Sequence, residues 1–202
     1  MNRTALRRQF RKARRALSAA EQRRHSLRIC RHFLRSPLAW RASRVAAYLA
    51  IDGEPDLETL LTRLRLMGKR LALPVIRRQG GMDFFAFDAN ASLVANMFGI
   101  EEPAPGARHV PTLSLDVVLT PLVAFDENGN RLGMGGGFYD RHFGAMPTGL
   151  RPLLVGVAHE LQCAPNLSAA PWDVPLDAVL TDAGWHRFGK RLGFQESTAG
   201  AP

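Results

Sequence analysis

Residues 131–141 read R-L-G-M-G-G-G-F-Y-D-R, the stretch of this chain best suited to chemistry. Four glycines among five residues let backbone N–H groups approach a ligand with no Cβ in the way. Phosphate is the ligand such a loop suits, above all where a helix begins next, because its unpaired N–H groups and positive dipole end favour an anion. A helix starting near Phe138 would meet that condition. Arg131, ahead of the loop, can neutralise phosphate charge, and Asp140, behind it, offers a hard oxygen for Mg2+. On the glycines alone, a flexible link between strand and helix is an equal reading. The familiar phosphate loops do not fit: G-x-G-x-x-G would need glycine where Phe138 stands, and no G-x-x-x-x-G-K-[ST] occurs.

The longer string over residues 130–141, N-R-L-G-M-G-G-G-F-Y-D-R, closely resembles, without a gap, the signature of the 5-formyltetrahydrofolate cyclo-ligase family. The resemblance runs over nearly the whole chain. It implies an ATP- and Mg2+-dependent enzyme that makes 5,10-methenyltetrahydrofolate from 5-formyltetrahydrofolate and releases ADP and phosphate. It implies ATP contacts at Arg131, Leu132, Gly133, Met134, Gly135, Gly136, Gly137, Phe138 and Tyr139, with Arg131 and Tyr139 as catalytic residues. Family members begin with a basic residue, two spacers and Leu-Arg, whose basic groups contact ATP phosphates. Arg3-Thr4-Ala5-Leu6-Arg7 is similar, with Arg3 where lysine is usual. Arg3 and Arg7 are four apart and share a helix face. The family's substrate contacts map onto Leu49 and Glu54, and Phe98, in F-G-I-E-E-P, is a candidate for the folate pocket wall or a packed aromatic. Its metal ligands map onto Asp140 and, in some members, an acid aligned with Asp177.

These residues need a frame. Residues 117–125 form an apolar run that reads as a buried strand, and Asn128-Gly129 is a tight-turn dipeptide. Residues 44–50 read as a strand with 51–54 as its exit loop. Pro55 then suits a first helical position, Leu57, Leu60, Leu61 and Leu64 make a core face, and Gly68 is a stop. A second strand over 70–76 completes a βαβ unit, which implies a parallel sheet. Ligands bind beyond the carboxyl ends of such strands, where Asp52, Glu54 and Arg77 would sit. Further strands are expected over 82–87, 153–158 and 178–181.

Residues 3–35 read as two helices. The first has an apolar stripe of Leu6, Phe10, Ala13 and Leu17, with Arg7, Arg8, Arg11, Lys12, Arg14 and Arg15 covering the rest. Ser18-Ala19-Ala20-Glu21 is a capping box that restarts the helix, Leu27, Cys30 and Leu34 face inward, and Ser36-Pro37 ends it. The expected fold is α/β, three-layered, with a central, largely parallel sheet flanked by helices and the basic N-terminal helices packed on its edge. One domain should span 1–194, with a disordered tail over 195–202.

The chain has 202 residues and a formal net charge of +9, which implies anionic partners: nucleic acid, a membrane surface or a polyanionic small molecule. The arginine-rich first 20 residues also resemble a mitochondrial transit peptide, although the regular second helix argues against a cleaved leader. No interleaved aromatics or nucleic-acid motif accompany the basic helix. A sugar-phosphate enzyme on a similar sheet remains an alternative. Cys30 and Cys163 form no metal or redox motif, the histidines show no H-E-x-x-H spacing, and no apolar run approaches the ~20 residues of a membrane span. The resulting expectation is a cytoplasmic monomer acting on small molecules, 5-formyltetrahydrofolate and ATP, with neither nucleic acid nor membrane as partner.

Overall fold

Runs of Val, Leu and Ala without an intervening charge need burial on both faces, and they form the middle of one mixed sheet. The computed structural model describes residues 2–77, 80–188 and 191, so the tail expected over 195–202 lies outside the described residues. The chain opens with helices α1 (Arg3–Arg15), α2 (Ala19–Arg35) and α3 (Pro37–Arg41). Then follow β1 (Arg44–Ala46), α4 (Glu58–Leu66), β2 (Arg70–Ile76), β3 (Met82–Ala86), β4 (Leu93–Ala95), β5 (Glu101–Pro103) and β6 (His109–Val110). The second half holds β7 (Val117–Pro121), β8 (Ala124–Phe125), β9 (Arg131–Leu132), α5 (Phe138–Gly144), β10 (Leu153–Val157), β11 (Ala178–Leu180) and β12 (Trp185–Arg187).

The large sheet runs β12-β11-β10-β7-β1-β2-β3-β6. Its five central strands are parallel, with Val45 opposite both Leu71 and Val117, and Val155 opposite Ala178. Antiparallel β12 closes one edge, and β3 with β6 the other. The α/β class with a largely parallel sheet is therefore as expected. Chain direction across the sheet reverses between β1 and β7. A crevice opens at such a switch point, beyond the carboxyl ends of the two strands.

Alternate residues feed opposite faces. Val45, Val117, Leu119, Val155 and Leu180 pack with Ile29, Phe33, Leu57, Leu60 and Leu64 under α2, α3 and α4. Ala46, Val118, Leu154 and Val179 pack with Phe84, Phe125 and Phe143 on the other face, which α5 and irregular chain cover. A third cluster joins Phe10 of α1 to Val123, Ala124, Leu132 and Ala164. Thus α2 lies on a face of the sheet rather than at its edge, and α1 lies against the β8–β9 hairpin (residues 124–132).

Local differences from the expectation have local causes. The first strand stops at Ala46, and just beyond it the Tyr48 hydroxyl donates to the Pro55 carbonyl (3.0 Å). That carbonyl is outside the helix, which starts at Glu58, where the N–H donates to Asp56 Oδ1 (2.8 Å). The 117–125 run divides after Pro121, which has no N–H to extend a ladder. Ile29 and Phe33 take the inward positions of α2 beside Cys30, while Leu27 is exposed. In α1, Ala13 is exposed and Arg14 is inward.

At Gly156 in β10 the two faces leave no room. A Cβ there would lie 2.6 Å from Leu122 Cδ2, 2.7 Å from Leu176 Cδ1 and 2.9 Å from Val179 Cγ2. Gly156→Val should therefore lower stability by about 1–3 kcal/mol, the usual cost of overpacking. Urea unfolding checks this, and an unchanged midpoint would refute the packing account.

Candidate active site

A helix that carries seven basic residues among 13 folds here because acids and carbonyls receive several of them. Arg14 is wholly buried. Its Nε donates to the Asp52 carbonyl (2.9 Å), Nη1 to the Leu122 carbonyl (3.0 Å) and Nη2 to Asp52 Oδ2 (2.8 Å). Glu54 Oε1 lies 3.5 Å from the same Nη2. Arg11 donates to Asp52 Oδ2 (2.8 Å), and Arg15 pairs with Asp52 Oδ1. Burial works against the Asp52 carboxylate, yet the three arginines hold it well below the usual carboxylate range. Glu54 differs: burial pushes its carboxyl up to about 7, against the pull of Arg14. Asp52 and Glu54 follow β1 and Leu122 follows β7, so the arginine spans the switch-point crevice.

The glycine loop leaves β9 and ends at α5. Gly135 has φ +109° and Gly137 φ +63°, conformations that L side chains rarely adopt. A Cβ at Gly136 would strike the Phe138 ring at 2.4 Å. Arg7 Nε, one helical turn from Arg3, donates to the Gly133 carbonyl (2.8 Å) and clips the loop to α1. Arg3 forms a bidentate pair with Asp173 (2.7 and 3.3 Å). Beside these lies a cavity of about 780 Å³, lined by Arg3, Arg7, Gly133, Gly135, Gly137, Asp140, Arg141, Arg151, Trp172 and Asp173, among others. Because α5 has only seven residues, its dipole adds little, and Arg3, Arg7, Arg141 and Arg151 bring positive charge to the cavity wall.

A sequence profile described as the 5-formyltetrahydrofolate cyclo-ligase family matches residues 1–182. The chain belongs to the 5-formyltetrahydrofolate cyclo-ligase family. Among its relatives is the 5-formyltetrahydrofolate cyclo-ligase of Escherichia coli, 41% identical over 181 residues, with 85% of this chain and 96% of the relative covered. The Haemophilus influenzae cyclo-ligase is 36% identical over 181 residues, covering 88% and 96%. The NMR structure of Aquifex aeolicus 5,10-methenyltetrahydrofolate synthetase superposes with a TM-score of 0.82, at 31% identity over all of both chains.

Not all residues to which the cyclo-ligase resemblance assigned roles meet in one place. Arg3, Arg7, Gly133, Gly135, Gly137 and Asp140 share the cavity wall. Arg131 lies behind it, buried, with Nη2 on Asp140 Oδ1 (2.6 Å) and Nη1 on the Val174 carbonyl. It positions Asp140 rather than facing the cavity. The Leu132 side chain is in the core beside Phe10. Tyr139 stacks on Phe143, and burial, with Glu54 nearby, raises its hydroxyl above the ordinary phenol range. Met134 Sδ is 3.9 Å from Arg14 Nη2, so that side chain points to the Glu54 side of the loop. Leu49 is half-buried just before Asp52. Phe98 is exposed at the tip of the β4–β5 hairpin, its ring 6.0 Å from that of Phe138. Asp177 stands apart, at the amino end of β11. Its oxygens accept from Leu154 N–H (2.8 Å) and from Arg191 (3.1 and 3.0 Å), with Arg151 at 3.8 Å.

Sequence reasoning missed Arg14, which it placed among the basic residues covering the rest of the helix, and Asp173. A signal for Arg14 existed: Arg7, Arg11 and Arg14, at spacings of four and three, share one helical face. With Arg11, Arg14 and Arg15 all on Asp52, much of the basic helix is directed into the protein.

A carboxyl that titrates near 7 in the fold and near 4.5 when unfolded holds its proton more tightly in the fold. Its contribution to stability therefore falls as pH rises from about 4.5 to about 7, by up to about 3 kcal/mol. Glu54→Gln should remove that slope. Burial pulls His142 and His159 below their ordinary range, which acts in the opposite sense, so the readout is the wild-type-minus-variant difference in urea-unfolding free energy from pH 5 to pH 8. A pH-independent difference would refute the burial account.

Proposed function

We propose that this chain is an ATP-dependent cyclo-ligase acting on 5-formyltetrahydrofolate. The observation that carries the reading is one cavity walled by Arg3, Arg7, three loop glycines and Asp140, in a chain of this family. The triphosphate of ATP suits that wall, which offers guanidinium charge, backbone amides and one hard oxygen. The pterin suits the other side of the loop, where Glu54, with its raised affinity for a proton, can exchange hydrogen bonds with ring nitrogens, and Leu49 and Phe98 supply apolar surface.

The formyl oxygen of an amide is a poor leaving group. Transfer of the γ-phosphoryl group to that oxygen releases ADP and gives a phosphorylated imidate. The neighbouring folate nitrogen attacks the formyl carbon, the ring closes, and the C–O bond breaks as inorganic phosphate departs. No side-chain nucleophile is required. Phosphoryl transfer of this kind depends on alignment and charge neutralisation. Arg7 serves both, since its bond to the Gly133 carbonyl fixes the loop while its remaining N–H groups reach toward the cavity. Arg131 fixes Asp140, and Arg3, paired with Asp173, adds charge at the far wall.

The donor set fits Mg2+. Asp140 Oδ1 takes the Arg131 guanidinium and the Val174 N–H (3.1 Å), whereas Oδ2 has no hydrogen-bond partner among the described residues. One carboxylate with phosphate oxygens and waters is a common magnesium shell, and the ion would neutralise charge on the β- and γ-phosphates. Asp177, whose oxygens are already engaged, is not included. Among the described residues no helix is long and apolar enough to cross a membrane. A monomeric cytoplasmic enzyme of small molecules, without a nucleic-acid partner, completes the proposed reading.

ADP should form from ATP and Mg2+ only when 5-formyltetrahydrofolate is present, and its absence would end the proposal. Asp140→Asn should retain the fold and lose most turnover, because an amide is a poor magnesium ligand. Wild-type turnover at limiting Mg2+ would exclude Asp140 as the ligand. Arg7→Ala should weaken ATP binding by about 1.5–3 kcal/mol, the range for a hydrogen bond to a charged group. Calorimetric titration reads this, and unchanged affinity would remove Arg7 from the phosphate site.

A further inference from the structure

Three donors outside the active site converge from distant parts of the chain. His25 of α2, His159 after β10 and Asp182 between β11 and β12 present ligand atoms within 4.8 Å of one another. His25 Nδ1 is 3.0 Å from His159 Nδ1 and 3.6 Å from Asp182 Oδ1. Two donors about 2.0–2.1 Å from a tetrahedral zinc ion stand about 3.3–3.4 Å apart, between those two separations. The surrounding bonds aim the donors inward. His159 Nε2 meets the Gly53 carbonyl at 3.1 Å, so Nε2 carries the proton and Nδ1 turns its lone pair to the centre. The Glu160 N–H donates to Asp182 Oδ1 (2.8 Å) and fixes the carboxylate. A hydrogen bond between the rings would account for the first distance alone and would leave Asp182 beyond hydrogen-bond reach of His25.

We propose that His25, His159 and Asp182 form a divalent transition-metal site of two imidazoles and one carboxylate, suited to Zn2+ or Co2+, with the fourth position taken by water. It is chemically unlike the oxygen-only setting of Asp140, since imidazole favours transition metals over magnesium. His159 is fully buried, whereas the His25 and Asp182 side chains are 18% and 10% exposed, which gives an ion its way in. Occupancy would tie α2 and the ends of β10 and β11 together. Through His159 and the Gly53 carbonyl, it would also steady the turn that carries Asp52 and Glu54.

The test uses the full chain after chelation and needs no turnover, so its failure leaves the active-site reading standing. Titration with Co2+ should show one equivalent bound, with the visible absorption of a tetrahedral site, and Zn2+ should displace it and raise Tm. Loss of an outer partner costs about 10–100-fold in metal affinity. Loss of a ligand in His25→Gln or Asp182→Asn should therefore cost more than about 100-fold. His186→Gln, which alters the neighbouring histidine bonded to Glu160 (2.9 Å), should bind like wild type. Both ligand variants change partly exposed residues, and Asp182→Asn decides if His25→Gln does not fold. Wild-type protein that takes up neither ion, or whose affinity the folded ligand variants share, overturns the site.

Discussion

A guanidinium group removed from water must find an acceptor for its N–H groups and a counter-charge, or the fold that buries it is not stable. Arg14 meets that requirement with the Asp52 carbonyl and carboxylate, the Leu122 carbonyl and Glu54, and the rest of the site follows from how it does so. Its partners come from the chain after β1 and the chain after β7, so one side chain spans the reversal of the sheet. Asp52 is held at φ +55°, a left-handed conformation costing a non-glycine residue on the order of 1–3 kcal/mol. Hydrogen bonds from three arginines offset that strain. The same arrangement leaves Glu54 with a single arginine at 3.5 Å and little water, which is why two acids two residues apart move in opposite directions.

The glycine loop then acts as a partition. Its glycines 133, 135 and 137 face the cavity with Arg7, while Met134 lies against Arg14 and Phe138 meets Phe98. On the proposed reading the two reactants approach from opposite sides of a wall one residue thick. A loop with side chains on both faces could not bring them so close. Glycine on the cavity side of the loop is therefore a geometric demand, and it is distinct from a need for flexibility.

Much of this was legible in the sequence because it is written in local spacing. The Ser18–Glu21 capping box, the leucine face of α4, the Asn128-Gly129 turn and the start of α5 at Phe138 all depend on neighbours within four residues. The parallel strands followed from the βαβ spacing. What escaped depends on distant partners. Arg14 looks like any surface arginine until Asp52 and Leu122 are folded against it. Likewise, nothing in the local sequence shows that the Arg131 guanidinium is bonded to Asp140 and the Val174 carbonyl. The His25–His159–Asp182 cluster is invisible to a search for local metal spacing, since its first two members are 134 residues apart.

The Arg3–Asp173 pair joins residues 170 positions apart, at opposite ends of the described chain. During synthesis on a ribosome, at about 5–20 residues per second, on the order of 10–30 s separates the emergence of the two partners. The first helix leaves the exit tunnel as a strongly basic, amphipathic segment. Asp52 follows it early, but the Leu122 carbonyl and the aspartate that receives Arg3 come much later. The arginines that pair with Asp52 can be neutralised early, whereas Arg3 lacks its acid for most of the translation of residues 3–173. Arg3 therefore meets its aspartate late, long after Arg11, Arg14 and Arg15 can meet Asp52, and this wall of the cavity is a late part of the fold to assemble.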